Sequence, residues 1–368
     1  VKLILIGGFL GAGKTTLMAE AARRLAAKGE RVGLITNDQA PELVDTALLS
    51  REKAGVEEVS GSCFCCDFPG LLAAMAKLRT EAQADVLVAE PVGSCTDLSA
   101  TILQPLKDLS AREVSVAPLS VLADPARLSD ILDGGHGGLH PSAAYIFRKQ
   151  LEEADILVVT KADRLSGEEI DALQARVARA YPLATVRIMS AQTGAGVDDW
   201  LDDVLGSLES DRHIAEVDYD VYAEGEAALG WLNATFRLHG PETDWVGLVR
   251  RLLAALGDRF DAAGMRVGHV KAMVEAAGDF AVGNLTGRVD TLSVRGSVKP
   301  TAHARLTLNA RVETSPEALE GIVREELANV AGGGLEATPL AWRCLSPGRP
   351  EPTHRYDRLV GAGGIPKA

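Results

Sequence analysis

Positive charge is in short supply in this sequence: 38 lysines and arginines face 51 aspartates and glutamates, a formal net charge of −13. Nucleic-acid binding needs a basic face that neutralises phosphates, so a nucleic-acid partner is not expected. Long apolar runs are missing too. No stretch reaches bilayer-spanning length and no signal-peptide pattern precedes the first apolar run, so no membrane partner is expected and the cytoplasm is the expected location. A disulfide framework is equally absent. The five cysteines are an odd number, and three of them fall within four positions, which reads as a metal or redox site in a reducing compartment. There is no internal repeat and no long histidine-rich stretch.

What is present is a globular composition, 46% hydrophobic and 24% charged, in 368 residues, too many for one ordinary domain. Over residues 1–208 short β-branched runs (Leu3–Ile6, Val32–Thr36, Val86–Glu90, Val114–Leu122, Ile156–Thr160, Val186–Met189) alternate with amphipathic helical stretches. That alternation predicts an α/β domain with a mainly parallel sheet covered on both faces. Charge rises and periodicity fades over 209–228, which reads as a linker. Residues 229–346 read as a smaller α+β domain, with strands near Leu232–Leu238, Val267–Ala276, Thr291–Val298, Ala304–Val312 and Leu340–Cys344 and helices over Asp244–Phe260 and Pro316–Val330. The Pro- and Gly-rich stretch 347–368 reads as a loose tail.

The first helix opens on Gly8-Phe-Leu-Gly-Ala-Gly-Lys14-Thr15, a complete G-x-x-x-x-G-K-[ST] directly after a strand. Gly8, Gly11, Ala12 and Gly13 would turn backbone N–H groups onto phosphates, aided by the helix N-terminus that Thr16 helps form. Lys14 would reach the β- and γ-phosphates and the Thr15 hydroxyl would ligate Mg²⁺. At the end of Ile156–Thr160, Thr160-Lys161-Ala162-Asp163 resembles the guanine motif of GTPases, and Ser190-Ala191 falls where their fifth motif lies. The Asp163 carboxylate can accept from both N1–H and the N2 amine of guanine, a donor pair that adenine lacks. The same four residues could otherwise be a simple capped strand end.

Glu90-Pro91-Val92-Gly93 stands where most GTPases carry D-x-x-G. With this P-loop, the glutamate resembles the metal-centre maturation GTPases related to CobW, UreG, HypB and MeaB. Gly61-Ser62-Cys63-Phe64-Cys65-Cys66 resembles the G-C-x-C-C element of the CobW-like branch. Three thiols so close can give one ion three soft ligands, favouring Zn²⁺ or another divalent transition metal. They could also be three small buried hydrophobes, or a redox pair at Cys63 and Cys66.

The resemblance, which covers roughly residues 1–205, implies a GTP- and GDP-binding GTPase that hands metal or a metal cofactor to an unidentified client metalloprotein. It implies that Glu90 touches Mg²⁺, that Gly93 approaches the γ-phosphate, and that Asp38 is a further Mg²⁺ carboxylate, with Asp45 a weaker candidate. A homodimer favoured by GTP also follows from the resemblance. A MeaB-like cofactor-loading GTPase with structural cysteines, or a nucleotide-gated metal sensor with negligible turnover, are the alternatives. Cys95 reads as a buried helix-start residue, Cys344 has no expected role, and His136 and His140 are weak metal candidates.

Overall fold

The structure, a computed structural model, describes residues 1–41, 43–52, 54–109, 113–206, 213–287, 292–332 and 334–361. The chain begins with β1 (Lys2–Gly8), α1 (Lys14–Ala27), β2 (Val32–Asp38), α2 (Val44–Leu49), β3 (Gly55–Ser60), α3 (Phe68–Glu81) and β4 (Val86–Ala89). A π-helical turn at Ser99–Leu103 leads into α4 (Gln104–Leu109), followed by β5 (Ser115–Val116), β6 (Ser120–Ala123), α5 (Pro125–Leu132) and α6 (Pro141–Glu152). Then come β7 (Ile156–Val159), α7 (Gly167–Ala180), β8 (Thr185–Ile188), α8 (Val197–Leu205) and α9 (Tyr219–Ala227). Among the described residues every pair of these strands is parallel, in the order β3-β2-β4-β1-β6-β7-β8 with β5 also on β1. Leu3, Ile4, Leu5 and Ile6 are fully buried, as the central strand of a sheet covered on both faces must be. The ends of the strands therefore meet along one edge, where ligands of open α/β sheets bind.

The second half runs β9 (Gly230–Thr243), α10 (Trp245–Ala262), β10 (Val267–Ala276), β11 (Asp279–Leu285), β12 (Ser293–Ser297), β13 (Thr301–Val312), α11 (Pro316–Ala331) and β14 (Glu336–Leu345). It forms an antiparallel sheet in the order β12-β11-β10-β13-β9-β14. Leu248, Leu252 and Leu256 of α10 and Leu319 and Val323 of α11 bury against it in a core of their own. The other face meets the first domain: Val44 of α2 packs with Met273 and Val282.

Several sequence expectations need correction. The apolar run Val114–Leu122 is two strands, broken at Pro118, which has no N–H to donate to a ladder. Strands β3 and β11 were not expected. The charged stretch 209–228 is more than a linker. Residues 209–212 lie outside the described ones, but Asp218 caps α9, and Tyr222 of that helix is buried in the first domain's core. The tail is tied down as far as Val360, while 362–368 lie outside the described residues. Thr353 N–H donates to Cys65 O (2.8 Å), Tyr356 N–H to Ala100 O (3.0 Å) and Val360 N–H to Gln104 Oε1 (2.7 Å). Proline and glycine remove regular structure there, yet the backbone donors still find partners on the first domain. Thr291, the expected start of one strand, is outside the described residues; β12 starts at Ser293. Among the described residues no helix is long and apolar enough to cross a membrane.

Candidate functional site

A cavity of about 260 Å³ opens at the strand ends, bounded by the loop 8–16 on one side and by the second sheet on the other. The loop's shape depends on its glycines: Gly8, Gly11 and Gly13 have φ of 125°, 77° and 100°. A Cβ on Gly8 would also stand 2.3 Å from Leu122 O. Ala12 and Thr16 line the same cavity, and Lys14 crosses the loop to donate to Gly8 O at 2.9 Å. Burial pushes the Lys14 pKa down, against the pull of Glu90 and Asp45.

Next to Lys14 the hard oxygen donors gather. The Thr15 hydroxyl donates to Asp45 and stands 3.5 Å from Glu90 Oε1, while Glu90 Oε2 is buried with no partner. Burial first, then the Asp45 charge, pushes Glu90 up to about 7. Burial also opposes ionisation of Asp45, but the ammonium of Lys271 and the Thr15 hydroxyl outweigh it and hold that carboxyl at about 2. A hydroxyl and two carboxylates, one oxygen of them orphaned, form a donor set that suits Mg²⁺. Gly93 abuts the loop, since a Cβ there would come within 2.7 Å of Leu10 Cδ2 and 3.2 Å of Lys14 Nζ.

Asp38 does not join this set. Its carboxylate pairs with Arg311 from β13, both side chains 6% exposed, and the guanidinium lies 4.2 Å over the Trp231 ring. Asp45, and not Asp38, thus lies beside Thr15: the turn after β2 brings Asp38 to Arg311 of the second domain and α2 brings Asp45 back to Thr15. At the other end of the cavity, Asp163 Oδ1 accepts from Ser190 Oγ at 2.5 Å, and Ala191 lies beside them. Lys161, at φ 56°, donates to Asp124 Oδ2 at 2.8 Å. Thr160 Oγ1 donates to Ala12 O (2.8 Å), joining this corner to the phosphate loop.

The cysteine loop hangs from the same strand end as Asp38. Asn37 of β2 donates to Val59 O (2.9 Å) and Ser62 O (2.7 Å) and accepts from Phe64 N–H (2.9 Å). The turn it fixes puts Cys63 Sγ 3.0 Å from Cys65 Sγ and Cys65 Sγ 3.8 Å from Cys66 Sγ, with all three sulfurs within 4.8 Å of one another. Hydrogen bonds from the Cys65, Cys66 and Cys95 thiols push the Cys63 pKa well down. The hydrogen bonds those thiols make to Cys63, with burial and then its charge adding, drive the others up, Cys66 to about 11. One thiolate supported by its neighbours is a soft donor set suited to a zinc-like ion. Cys95 is buried as expected, but its thiol also joins this network. The tail crosses it, Glu351 N–H donating to Cys66 Sγ at 3.2 Å. Among the described residues this is the one cluster of three or more histidine, cysteine or acidic side chains with metal-binding spacing. His140 instead caps α6, Nδ1 accepting from Ser142 N–H (3.3 Å), and Cys344 donates to Pro316 O (3.1 Å) in the second domain.

Sequence reasoning missed Lys271 and Arg311, both on the second sheet and both reaching the first domain. Each is a cation flanked by apolar residues in its strand, Val270 and Ala272 for Lys271 and Ala310 and Val312 for Arg311, a signal that a buried counter-charge must exist somewhere.

Residues 2–187 match the family CobW/HypB/UreG, nucleotide-binding domain. Among curated proteins, the chain is similar to the zinc chaperone YeiR of Escherichia coli, 34% identical over 180 residues, covering 46% of this chain and 49% of that protein. It is also similar to the zinc chaperone CobW of Pseudomonas aeruginosa, 26% identical over 227 residues, covering 53% and 57%. The chain thus spans about half the length of the curated relatives it matches. Among solved structures, the Zn(II)-bound YjiA GTPase of E. coli aligns at 16% identity over 90% of this chain and 98% of that one, with a TM-score of 0.36.

Proposed function

We propose a function for a chain that belongs to the CobW/HypB/UreG nucleotide-binding family: a GTP-hydrolysing metal chaperone whose cargo is held by Cys63, Cys65 and Cys66. The observation that carries this reading is the cluster of three sulfurs within 4.8 Å on a loop pinned by Asn37, which itself lines the cavity. Relatives named as zinc chaperones favour Zn²⁺ as the cargo, and the thiolate chemistry agrees. Free thiols in such a cluster suit a reducing compartment such as the cytoplasm. The recipient is a client metalloprotein.

In this reading the loop amides from Gly8 to Thr16 bind the phosphates, Lys14 leaves Gly8 O for the β/γ-oxygens, and Asp163 with Lys161, Ser190 and Ala191 holds guanine. Thr15, Asp45 and Glu90 are the residues that would hold Mg²⁺, which when bound neutralises charge developing on the phosphates. Burial keeps water from these groups, so each charge acts at close to full strength. A homodimer favoured by GTP over GDP belongs to the same reading. It requires the second sheet to move off the cavity it lines, and sedimentation with a non-hydrolysable GTP analogue tests it.

Zinc titration and GTP hydrolysis, measured on one preparation, test the central claim. Stoichiometric zinc binding with Mg²⁺-dependent GTP turnover is expected. Turnover without zinc binding would favour a cofactor-loading GTPase with structural cysteines, and zinc binding without turnover a metal sensor.

A further inference from the structure

Lys271 rises from the middle of β10 and reaches out of the second domain into the phosphate end of the cavity. Its ammonium donates to the Thr15 hydroxyl oxygen at 3.2 Å and to the Asp45 carboxylate. The Lys271 and Asp45 side chains are 15% and 14% exposed, so water and salt screen the pair weakly. The contact belongs to a row. Lys271 is in register with Asn309 on β13, and Asn309 with Asn233 on β9. Asn309 Oδ1 accepts from Val44 N–H at 2.8 Å, and Asn233 Nδ2 donates to Ala40 O and Pro41 O, each at 3.0 Å. Three adjacent strands of one domain thus grip consecutive points of the segment that leads from β2 to α2 in the other.

Thr15 and Asp45 are also two of the three groups that suit Mg²⁺. That ion sits about 2.0–2.1 Å from its oxygens and demands near-octahedral geometry. An ammonium bonded to the same hydroxyl and carboxylate takes up the lone pairs that the ion needs, and a like charge so near repels it. Lysine carries its cation on a flexible four-carbon stem and can withdraw; the Thr15 and Asp45 backbones, set in helices, cannot.

We propose that Lys271 is a tethered cation of the magnesium position: it and Mg²⁺ exclude one another from Thr15 and Asp45, so that loading Mg²⁺ with nucleotide withdraws Lys271 and loosens the second sheet from the first domain. The inference rests on reading the cavity as a Mg²⁺-nucleotide site. It gives Lys271 two effects, setting the Mg²⁺ concentration that the site needs and reporting its occupancy to the second domain. By linkage, whatever holds the second sheet away from the cavity tightens Mg²⁺ binding by the same factor.

The test titrates Mg²⁺ into the full chain with a fluorescent GDP analogue bound. Lys271→Met keeps the apolar stem and removes the charge, so half-saturating Mg²⁺ should fall about fivefold or more. Lys271→Arg keeps the charge and should stay near the wild type. A measurement on the unaltered chain needs no variant: adding Mg²⁺ to its nucleotide complex should speed amide hydrogen exchange in Val44–Leu49 and Val267–Ala276. An unchanged or raised Mg²⁺ requirement in Lys271→Met would overturn the inference, as would exchange in both segments that ignores Mg²⁺. Wild-type nucleotide binding with no Mg²⁺ dependence would instead overturn the reading of the cavity on which it rests.

Discussion

Asp163 is held ready by Ser190, which donates to one of its two carboxylate oxygens at 2.5 Å and leaves the other for a ligand. Guanine would spend two donors on this carboxylate. Replacing it by asparagine puts an amide donor against a donor, so Asp163→Asn should weaken GTP and GDP by about 3 kcal/mol or more, over a hundredfold. Xanthine nucleotides, which carry an oxygen in place of the guanine amine, should gain. Equilibrium binding of the three nucleotides checks this, and equal wild-type affinity for ATP and GTP would count against it. Glu90→Gln is the matching prediction at the phosphate end. The amide could not supply the anionic oxygen that Mg²⁺ would take on the proposed reading, so nucleotide should still bind while turnover falls at least about tenfold. Single-turnover hydrolysis reads it, and normal turnover would mean that Glu90 has been given the wrong role. These groups were legible in the sequence because each is fixed by a short motif at a strand end. Which of Asp38 and Asp45 lies beside Thr15 was not, because Asp38 is held by Arg311, 273 residues further on. Lys271 was illegible for the same reason: its partner is 226 residues away.

At the scale of elements, the parallel sheet could be read from its apolar runs because a strand buried on both faces needs no alternation. Strand β3 hid behind Glu57 and Glu58, which an edge position tolerates. Helix α9 hid in an acidic stretch because the face it buries, Tyr222, Gly225 and Glu226, carries a single large apolar side chain. The end of α6 carries a consequence for pH. Glu153 there accepts from Thr96 Oγ1 (3.0 Å) and from Ser99 N–H (3.1 Å) at the start of the π-helical turn. Burial, then the Asp97 charge, raises its pKa from 4.5 to about 8. A carboxyl raised in the folded state binds its proton more tightly folded than unfolded. Its contribution to stability is complete below about pH 4.5 and is lost as pH rises through about 8. Urea unfolding midpoints should therefore fall from pH 6 to pH 9, and Glu153→Gln should flatten the fall in part. Glu226, also raised to about 8 by burial, and Glu90, raised to about 7, should keep the remainder. Equal pH slopes in wild type and variant would show that Glu153 does not titrate in this range.

Across the whole molecule, the two sites share one structural link. Asn37 fixes the cysteine loop, Asp38 beside it is held by Arg311, and the row Lys271, Asn309 and Asn233 grips the segment up to Asp45. On the proposed reading, a change at the phosphate end of the cavity should therefore move the backbone that positions the three thiols. Coupling between sites is typically about 1–3 kcal/mol, so GTP in place of GDP should change zinc affinity roughly 5- to 150-fold. Zinc must change the ratio of GTP to GDP affinity by the same factor, because the cycle closes. Zinc binds thiolates and releases their protons, so its affinity should weaken as pH falls, most steeply where the thiols other than Cys63 must ionise. Serine at positions 63, 65 and 66 keeps nearly the same size and removes the soft ligands, so Cys63→Ser, Cys65→Ser and Cys66→Ser together should abolish zinc binding and spare GTP binding. The measurement is a zinc titration of wild type and triple variant, each with GDP and with a non-hydrolysable GTP analogue. Zinc affinity that ignores the nucleotide would leave the metal site standing and remove the link. Undiminished zinc binding in the triple variant would remove both.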